Sequence, residues 1–357
     1  MTIKIHKIAL TGGPGSGKST SLECLVKKIE EHGYKVFIVP EAATLMFLGG
    51  IDLRVVPFNE RKTLQVNLMK FMMAMEDAFF EIAKASDKDS VIIYDRGLLD
   101  PLAFMDKEMW LSIAEDTGWT PSRLRDRYDA VILLLSAANG AEEHYTTANN
   151  KARAESPAQA ISIDNKLQEV WLGHPHLRVI GACSEFSDKL RKIINVVYKT
   201  IGIPEPIEYE KKYLIESEIN IPLSYNDSLI EQTYLTDGSR IRCRSFGDCK
   251  QYTRTIKENI SAGKNKEHET IIGYSDYNKY LDLADPDSLT IMKIRRCFLW
   301  EKQYFEYDMY IQPHAGLRVL EIELDSDDQD VIMPPFIIDY KDVTGDNQYS
   351  NKNLAKK

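Results

Sequence analysis

No apolar run in this 357-residue sequence approaches the length of about 20 residues that a membrane-crossing helix needs. A transmembrane segment is therefore not expected. Cysteine is sparse. Cys24, Cys183, Cys243, Cys249 and Cys297 are odd in number and none is spaced from another like a metal ligand, which fits reduced thiols in a cytoplasmic protein. A basic excess is also missing: 45 Lys and Arg stand against 54 Asp and Glu, a formal net charge of −9. That balance argues against generic nucleic-acid binding and against unspecific attraction to an acidic membrane, so local basic clusters must be read as sites. Met1 leads straight into a strand and a glycine loop, so no signal peptide is expected. No internal repeat, low-complexity block or Ser-His-Asp arrangement can be argued. An Asn-Lys-x-Asp guanine-reading signature is absent too, so ATP and GTP both stay open.

The length calls for two domains. In the first half, strands alternate with helices: strands at Ile5–Leu10, Lys35–Val39, Val91–Tyr94, Val131–Leu135 and Leu177–Ile180, helices at Lys18 to about His32, about Asn59 to Ala85, and Phe186–Ile201. Short apolar strands between helices predict an α/β domain with a doubly wound parallel sheet. Gly202-Ile203-Pro204-Glu205-Pro206 ends the last helix and marks a linker, dividing residues 1–203 from residues 204–344. Beyond it strands dominate, at Glu208–Glu216, Ser228–Leu235, Arg240–Phe246, Gln251–Lys257, Thr290–Leu299, Gln303–Ile311 and Val319–Leu324. They predict an antiparallel sheet or barrel. The polar stretch 345–357 is expected to be disordered.

Gly12-Gly13-Pro14-Gly15-Ser16-Gly17-Lys18-Ser19 fits the G-x-x-x-x-G-K-[ST] phosphate loop, after a strand and opening a helix. Backbone N–H groups and the helix N-terminus would cradle phosphates, Lys18 would reach the β/γ-phosphates, and Ser19 would bind Mg²⁺. The nucleotide-binding candidates are Gly12, Gly13, Gly15, Ser16, Gly17, Lys18, Ser19 and Thr20. Asp95 ends a strand beside this loop, where Mg²⁺ or its water is held. Glu41 ends the second strand, where kinases of this architecture place a substrate-activating carboxylate. Residues 146–166 are polar and follow the fourth strand, the position of a lid. Lys151 or Arg153 there could meet the transferring phosphoryl group. The catalytic candidates are Glu41, Asp95, Arg96 and Arg153.

In the second half, charged residues alternate. Glu208, Glu210 and Lys212 share one strand face, as do Arg240, Arg242 and Arg244, Lys293 and Arg295, and Glu321 and Glu323; Arg254 and Lys257 lie on a further strand and Asp308 between the last two segments. Repeated same-face charge fits a barrel lumen with a cationic half for phosphate oxygens and an acidic half for a divalent metal. His174 and His176 lack a third ligand and read as a loop; Met69–Met75 reads as core packing.

Gly12–Ser19, Pro40-Glu41-Ala42 and Tyr94-Asp95-Arg96-Gly97 resemble the AAA-like ATPase domain grouped with ribosylnicotinamide and deoxynucleoside kinases, over about residues 5–200. The charged set resembles the CYTH superfamily, the triphosphate tunnel metalloenzymes, over about residues 204–330. That resemblance implies triphosphate binding by Lys212, Arg240, Arg242, Arg254, Lys257, Lys293 and Arg295. It implies Mg²⁺ or Mn²⁺ on Glu208, Glu210, Asp308, Glu321 and Glu323. The fusion, with Phe305–Tyr310 and Pro313–Leu317, is similar to the TRPL translocation-defect family, which implies GTP binding and links to phosphoinositides and peripheral membrane association. The expected function is Mg²⁺-dependent GTP or ATP binding with slow hydrolysis, coupled to a tunnel for a triphosphate, polyphosphate or phosphoinositide headgroup. The alternative is a bifunctional enzyme, part small-molecule kinase and part triphosphatase.

Overall fold

A computed structural model describes residues 3–51, 56–140, 156–183, 185–204, 207–326 and 328–357. The chain divides into two compact units, Met1–Ile201 and Gly202–Lys357.

The first unit runs β1 (Ile5–Gly12), α1 (Lys18–Glu30), β2 (Lys35–Val39), α2 (Ala42–Leu48), α3 (Phe58–Lys84), β3 (Ser90–Asp95), α4 (Lys107–Thr117), α5 (Pro121–Arg125), β4 (Ala130–Leu134), α6 (Pro157–Trp171), β5 (Leu177–Ile180) and α7 (Phe186–Ile201). Its five strands are parallel in the order β2-β3-β1-β4-β5. The middle strands are apolar because helices cover both faces: Ile92, Ile93, Val131, Ile132 and Leu133 are fully buried. The order reverses at β1, so the crevice for a ligand lies beyond the carboxyl ends of β1, β3 and β4. Pairing of Leu10 with Asp95 and of Gly12 with Leu134 brings the glycine loop and Asp95 to that crevice. α6 starts at residue 157 for a local reason: Ser156 accepts from the Gln159 amide (3.3 Å), Gln159 accepts from the Ser156 amide (2.8 Å), and Pro157 needs no partner there.

The second unit is antiparallel: β6 (Ile207–Ile215), β7 (Tyr225–Tyr234), β8 (Arg240–Phe246), β9 (Cys249–Ser261), β10 (Lys264–Ile272), α8 (Tyr274–Leu281), β11 (Ile291–Trp300), β12 (Gln303–Gln312), β13 (Arg318–Leu324), β14 (Tyr340–Asp342) and α9 (Asn351–Leu354). β6 to β13 close into a barrel through the pairing of β10 with β6, where Asn265 faces Glu208. β14 adds to β6 at its other end. Closure leaves alternate residues facing a lumen, and the others carry apolar clusters outside. One outer cluster joins Phe298, Phe305, Tyr307, Leu320 and Ile322 to Ile219, Ile221 and Ile337. Another sets Tyr277 of α8 against Leu235, Ile241 and Cys243.

Two expectations change. The stretch 345–357 is ordered: it forms a short turn at Asn347–Tyr349 and then α9. Leu354 and Ala355 are the apolar residues that hold it, packing with Tyr234, Ile291, Tyr310 and Val319. Tyr310 donates to Asn351 (2.6 Å), and the Leu289 amide donates to the Ala355 carbonyl (2.6 Å). Second, β10 is a full strand that its polar sequence had hidden.

Candidate functional sites

In the first unit, glycine is required by the path of the loop. Gly17 opens α1 at φ 86°, in the left-handed region, and Gly15 sits at φ 71°. A Cβ on Gly12 would lie 2.1 Å from the Leu134 carbonyl oxygen, and one on Gly13 would lie 2.4 Å from Asp164 Oδ1. Ser19 and Thr20 are exposed at the start of α1. Lys18 donates to the Gly12 carbonyl (2.8 Å). Burial and the neighbouring Arg96 lower its ammonium to about 8, against the pull of Asp95, Glu41 and Asp100. A phosphate chain at this loop would restore the full charge.

Arg96 holds an unusual backbone, φ 83° for a residue with a side chain. Its guanidinium donates to Glu41 (2.7 Å) and to the Gly12 carbonyl (3.0 Å), and lies 3.6 Å from Asp100. Burial opposes the Glu41 charge, but Arg96 and the Thr44 hydroxyl bring the carboxyl down to about 2. Asp95 moves the other way. Burial raises it, Lys18 opposes, and Glu41 adds to the rise; its buried Oδ1 has no hydrogen-bond partner. An orphaned carboxylate oxygen beside the phosphate loop fits a Mg²⁺ ion or its water. Arg153 and Lys151 lie outside the described residues.

Two acids escaped the sequence reading. Asp100 accepts from the Thr11 hydroxyl (2.5 Å) and the Trp171 indole (2.7 Å). Asp164 accepts from the amides of Gly13 (3.2 Å) and Ser136 (2.7 Å). Both are buried, with partners far away in sequence. His174 is buried too, hydrogen-bonded to the Tyr128 carbonyl (3.0 Å), and serves the loop as expected.

In the second unit, register decides which charges meet. Glu210 pairs with Glu323 and Lys212 with Glu321; Lys257 pairs with Glu267 and Arg295 with Asp308. Lys212 lies 2.9 Å from Glu321 and 3.4 Å from Glu210. Lys257 reaches Glu267 (3.1 Å), Glu210 (3.3 Å) and Glu208 (3.7 Å). Arg240 meets Glu267 (2.7 Å), and Arg242 approaches Glu269 (3.7 Å). The lumen therefore includes Glu267 and Glu269 of β10, which the sequence reading missed although their E-x-E spacing repeats that of Glu208/Glu210 and Glu321/Glu323. Glu306 belongs here too, bonded to Arg295.

The cations are not fully compensated. The Nε atoms of Arg240 and Arg242 are buried without a hydrogen-bond acceptor. Burial, followed by the like charge of Arg240, pushes the Arg242 guanidinium below its ordinary value. The acids crowd as well. Burial and the nearby Glu323 and Glu267 drive Glu208 well above the carboxylate range, and it shares a hydrogen bond with Glu267. Carboxylates close enough to share a proton suit a hard divalent cation, which would take the proton's place. Glu208, Glu210, Glu267 and Glu323 are the residues that could hold it. Among the described residues, no three acidic, His or Cys groups stand in a ready-made metal cage.

Three candidates are corrected. Arg254 points outward: it pairs with Asp237 (2.5 Å), donates to Ser239 (3.2 Å) and packs on the Tyr280 ring. The reason is strand parity, because residues 254 and 257 cannot share a face. Asp308 is fully buried, with its oxygens on Lys293 and Arg295, so it is an ion-pair partner instead of a metal ligand. Lys293 is likewise 0% exposed and spent on Asp308. Arg295 also donates to Glu321 (2.7 Å).

Residues 7–184 match the family model described as an AAA domain. The chain matches no curated protein sequence. Among solved structures, it is similar to the inorganic triphosphatase NE1496, at 26% identity and a TM-score of 0.30, covering 42% of this chain and 93% of that one. A structure titled hypothetical protein NE1496 gives the same identity and TM-score and is 96% covered. A putative adenylyl cyclase from Hippeastrum, HpAC1, titled as having a dominant triphosphatase activity, is 13% identical at a TM-score of 0.25, covering 33% of this chain and 79% of that one. The chain thus joins a domain that matches the AAA model and carries the phosphate loop to a closed antiparallel β-barrel. No helix among the described residues is long and apolar enough to cross a membrane.

Proposed function

We propose that the first unit binds ATP or GTP with Mg²⁺ and hydrolyses it slowly, and that the barrel binds a linear phosphate chain together with a divalent cation. The observation that carries the barrel reading is the pair of buried guanidinium Nε donors on Arg240 and Arg242 that find no acceptor in the protein. Phosphate oxygens are the acceptors such donors suit. Lys212, Lys257 and Arg295 line the same lumen, while Lys293 is fully buried on Asp308. When bound, a divalent cation would supply charge neutralisation among the glutamates and a Lewis acid for a phosphoryl oxygen.

In the first unit, Glu41 favours binding and slow turnover over kinase chemistry. A carboxylate held at about 2 by Arg96 is a weak proton acceptor at neutral pH. The Arg96 guanidinium, engaged by Glu41 and the Gly12 carbonyl, is not free to swing onto a transferring phosphoryl group.

The test is calorimetric titration of the full chain with ATP, GTP, tripolyphosphate, long-chain polyphosphate and inositol phosphate headgroups, with and without Mg²⁺ or Mn²⁺, alongside phosphate release. Tripolyphosphate is expected to bind in competition with the other tunnel ligands and to leave nucleotide affinity for the first unit unchanged. Absence of binding by every phosphate chain, with the nucleotide site intact, would remove the tunnel half of the reading.

A further inference from the structure

Asp164 is buried within the nucleotide-binding unit and no step above uses it. It sits on α6, yet its two oxygens hold two other elements. Oδ1 takes the amide of Gly13 in the phosphate loop, and Oδ2 takes the amide of Ser136 just beyond β4. The fit is close: any side chain at residue 13 would run into Oδ1. The charges facing Asp164 are Lys18 from α1 and Lys189 from α7, the latter buried with its ammonium on the Leu135 carbonyl (2.7 Å). A buried anion has thus been placed against a loop whose purpose is to receive phosphate anions.

We propose that Asp164 is a proton-linked positioning residue of the nucleotide site: it fixes the phosphate loop as a carboxylate when no nucleotide is bound, and takes up a proton when a nucleoside triphosphate enters. The inference rests on the reading of this unit as a nucleotide site. The physical reason is charge. Phosphates at the loop neutralise Lys18, which until then favours the Asp164 anion, and they add negative charge nearby. Both effects push the carboxyl toward its neutral form. Burial already raises it to about 6 against the two amides and the two lysines, so a modest further rise brings the proton on near neutrality. By linkage, protonation and nucleotide binding must then favour each other to the same degree. The proton comes from solvent, and no covalent step is involved.

The experiment is titration of the full chain with ATP and with GTP, each with Mg²⁺, between about pH 6 and pH 7, in buffers of different ionisation enthalpy. In this window the Lys18 ammonium, near 8, is already charged and contributes little. Wild type is expected to take up a fraction of a proton per nucleotide and to bind more tightly as pH falls, by at most about tenfold per unit. Asp164→Asn should take up none, and its affinity should be flat across the window. Gly13→Ala, which dislodges the carboxylate from the loop side, should weaken the slope in the same direction. If Asp164→Asn does not fold, the wild-type proton count decides: no uptake overturns the proposal. Nucleotide binding with an unchanged slope in a folded Asp164→Asn overturns it alone. No binding of either nucleotide at any pH overturns it together with the nucleotide-site reading.

Discussion

Asp308→Asn should be among the most damaging single changes in the barrel, although Asp308 touches no ligand. In the native protein it lies between Lys293 and Arg295, and both Lys293 and Asp308 are 0% exposed. The substitution keeps the shape and removes the charge, leaving the buried Lys293 ammonium without its carboxylate while Arg295 keeps Glu306 and Glu321. Removing one member of a buried pair costs about 3–5 kcal/mol. For a unit of this size, each kcal/mol moves the melting temperature by about 2–4 °C, so a loss of roughly 6–20 °C is expected. Scanning calorimetry of the full chain, with ATP present to set the first unit's transition apart, reads the second unit directly. Arg242→Met provides the contrast. It removes a guanidinium whose charge the surroundings already disfavour, and it should stay within about 1 kcal/mol of wild type. A melting temperature for Asp308→Asn within a degree or two of wild type would refute the argument. It would mean that Lys293 is carried neutral, the direction in which its burial pushes it.

Lys18→Ala should abolish ATP and GTP binding while leaving tripolyphosphate affinity intact, as calorimetry with each ligand would show, because the ammonium packs no core. Arg254→Ala should leave tripolyphosphate affinity unchanged, and Arg242→Ala should weaken it by about tenfold or more; equal effects would mean that the outer pairing with Asp237 is not maintained. Glu210→Gln with Glu323→Gln should remove the tightening of tripolyphosphate binding by Mg²⁺ or Mn²⁺ while anion binding itself persists, measured as affinity with and without metal. For Asp164, the folded carboxyl lies about two units above its ordinary 3.8, so the native state holds this proton more tightly than the unfolded chain does. Its contribution is therefore present below about pH 4 and fades as pH rises to about 6, a change of roughly 3 kcal/mol. Unfolding of wild type minus Asp164→Asn should show that slope, and a pH-independent difference would count against it.

The sequence made the first unit readable because each strand there is a short apolar run bounded by turn residues. β2, β5 and α7 end where their patterns end, and the phosphate loop announces itself. What stayed hidden depends on contacts distant along the chain. Asp100 and Asp164 look like ordinary helical or loop acids until Thr11, Trp171, Gly13 and Ser136 are brought to them. In the barrel, alternation revealed which residues face inward on β6, β8 and β13. β10 was missed because Lys264–Ile272 has almost no apolar face, yet the turn at Gly263 and the spacing of Glu267 and Glu269 were there to be read. Arg254 was misplaced by ignoring parity with Lys257. Asp308 could not have been resolved from one strand: whether an inward acid meets a metal or a lysine depends on the β11–β12 register, which places it opposite Arg295.

On the proposed reading the two units would meet phosphate in physically different ways, and the difference explains why metal should matter more to the barrel. In the first, the donors are backbone amides at a helix N-terminus, and among the loop amides only that of Gly13 is shown held by a carboxylate, Asp164. In the barrel, nearly every donor already has a carboxylate: Lys212 has Glu321, Lys257 has Glu267 and Glu210, Arg240 has Glu267. An incoming anion must compete with those glutamates for the same cations. A divalent ion held by Glu208, Glu210, Glu267 and Glu323 would shift that competition, leaving Lys257 and Arg240 available to the phosphates. Metal and phosphate chain would then be coupled through the protein's own ion pairs. Removing the glutamates should therefore strengthen anion binding in the absence of metal, while removing the lysine and arginine partners should weaken it under all conditions.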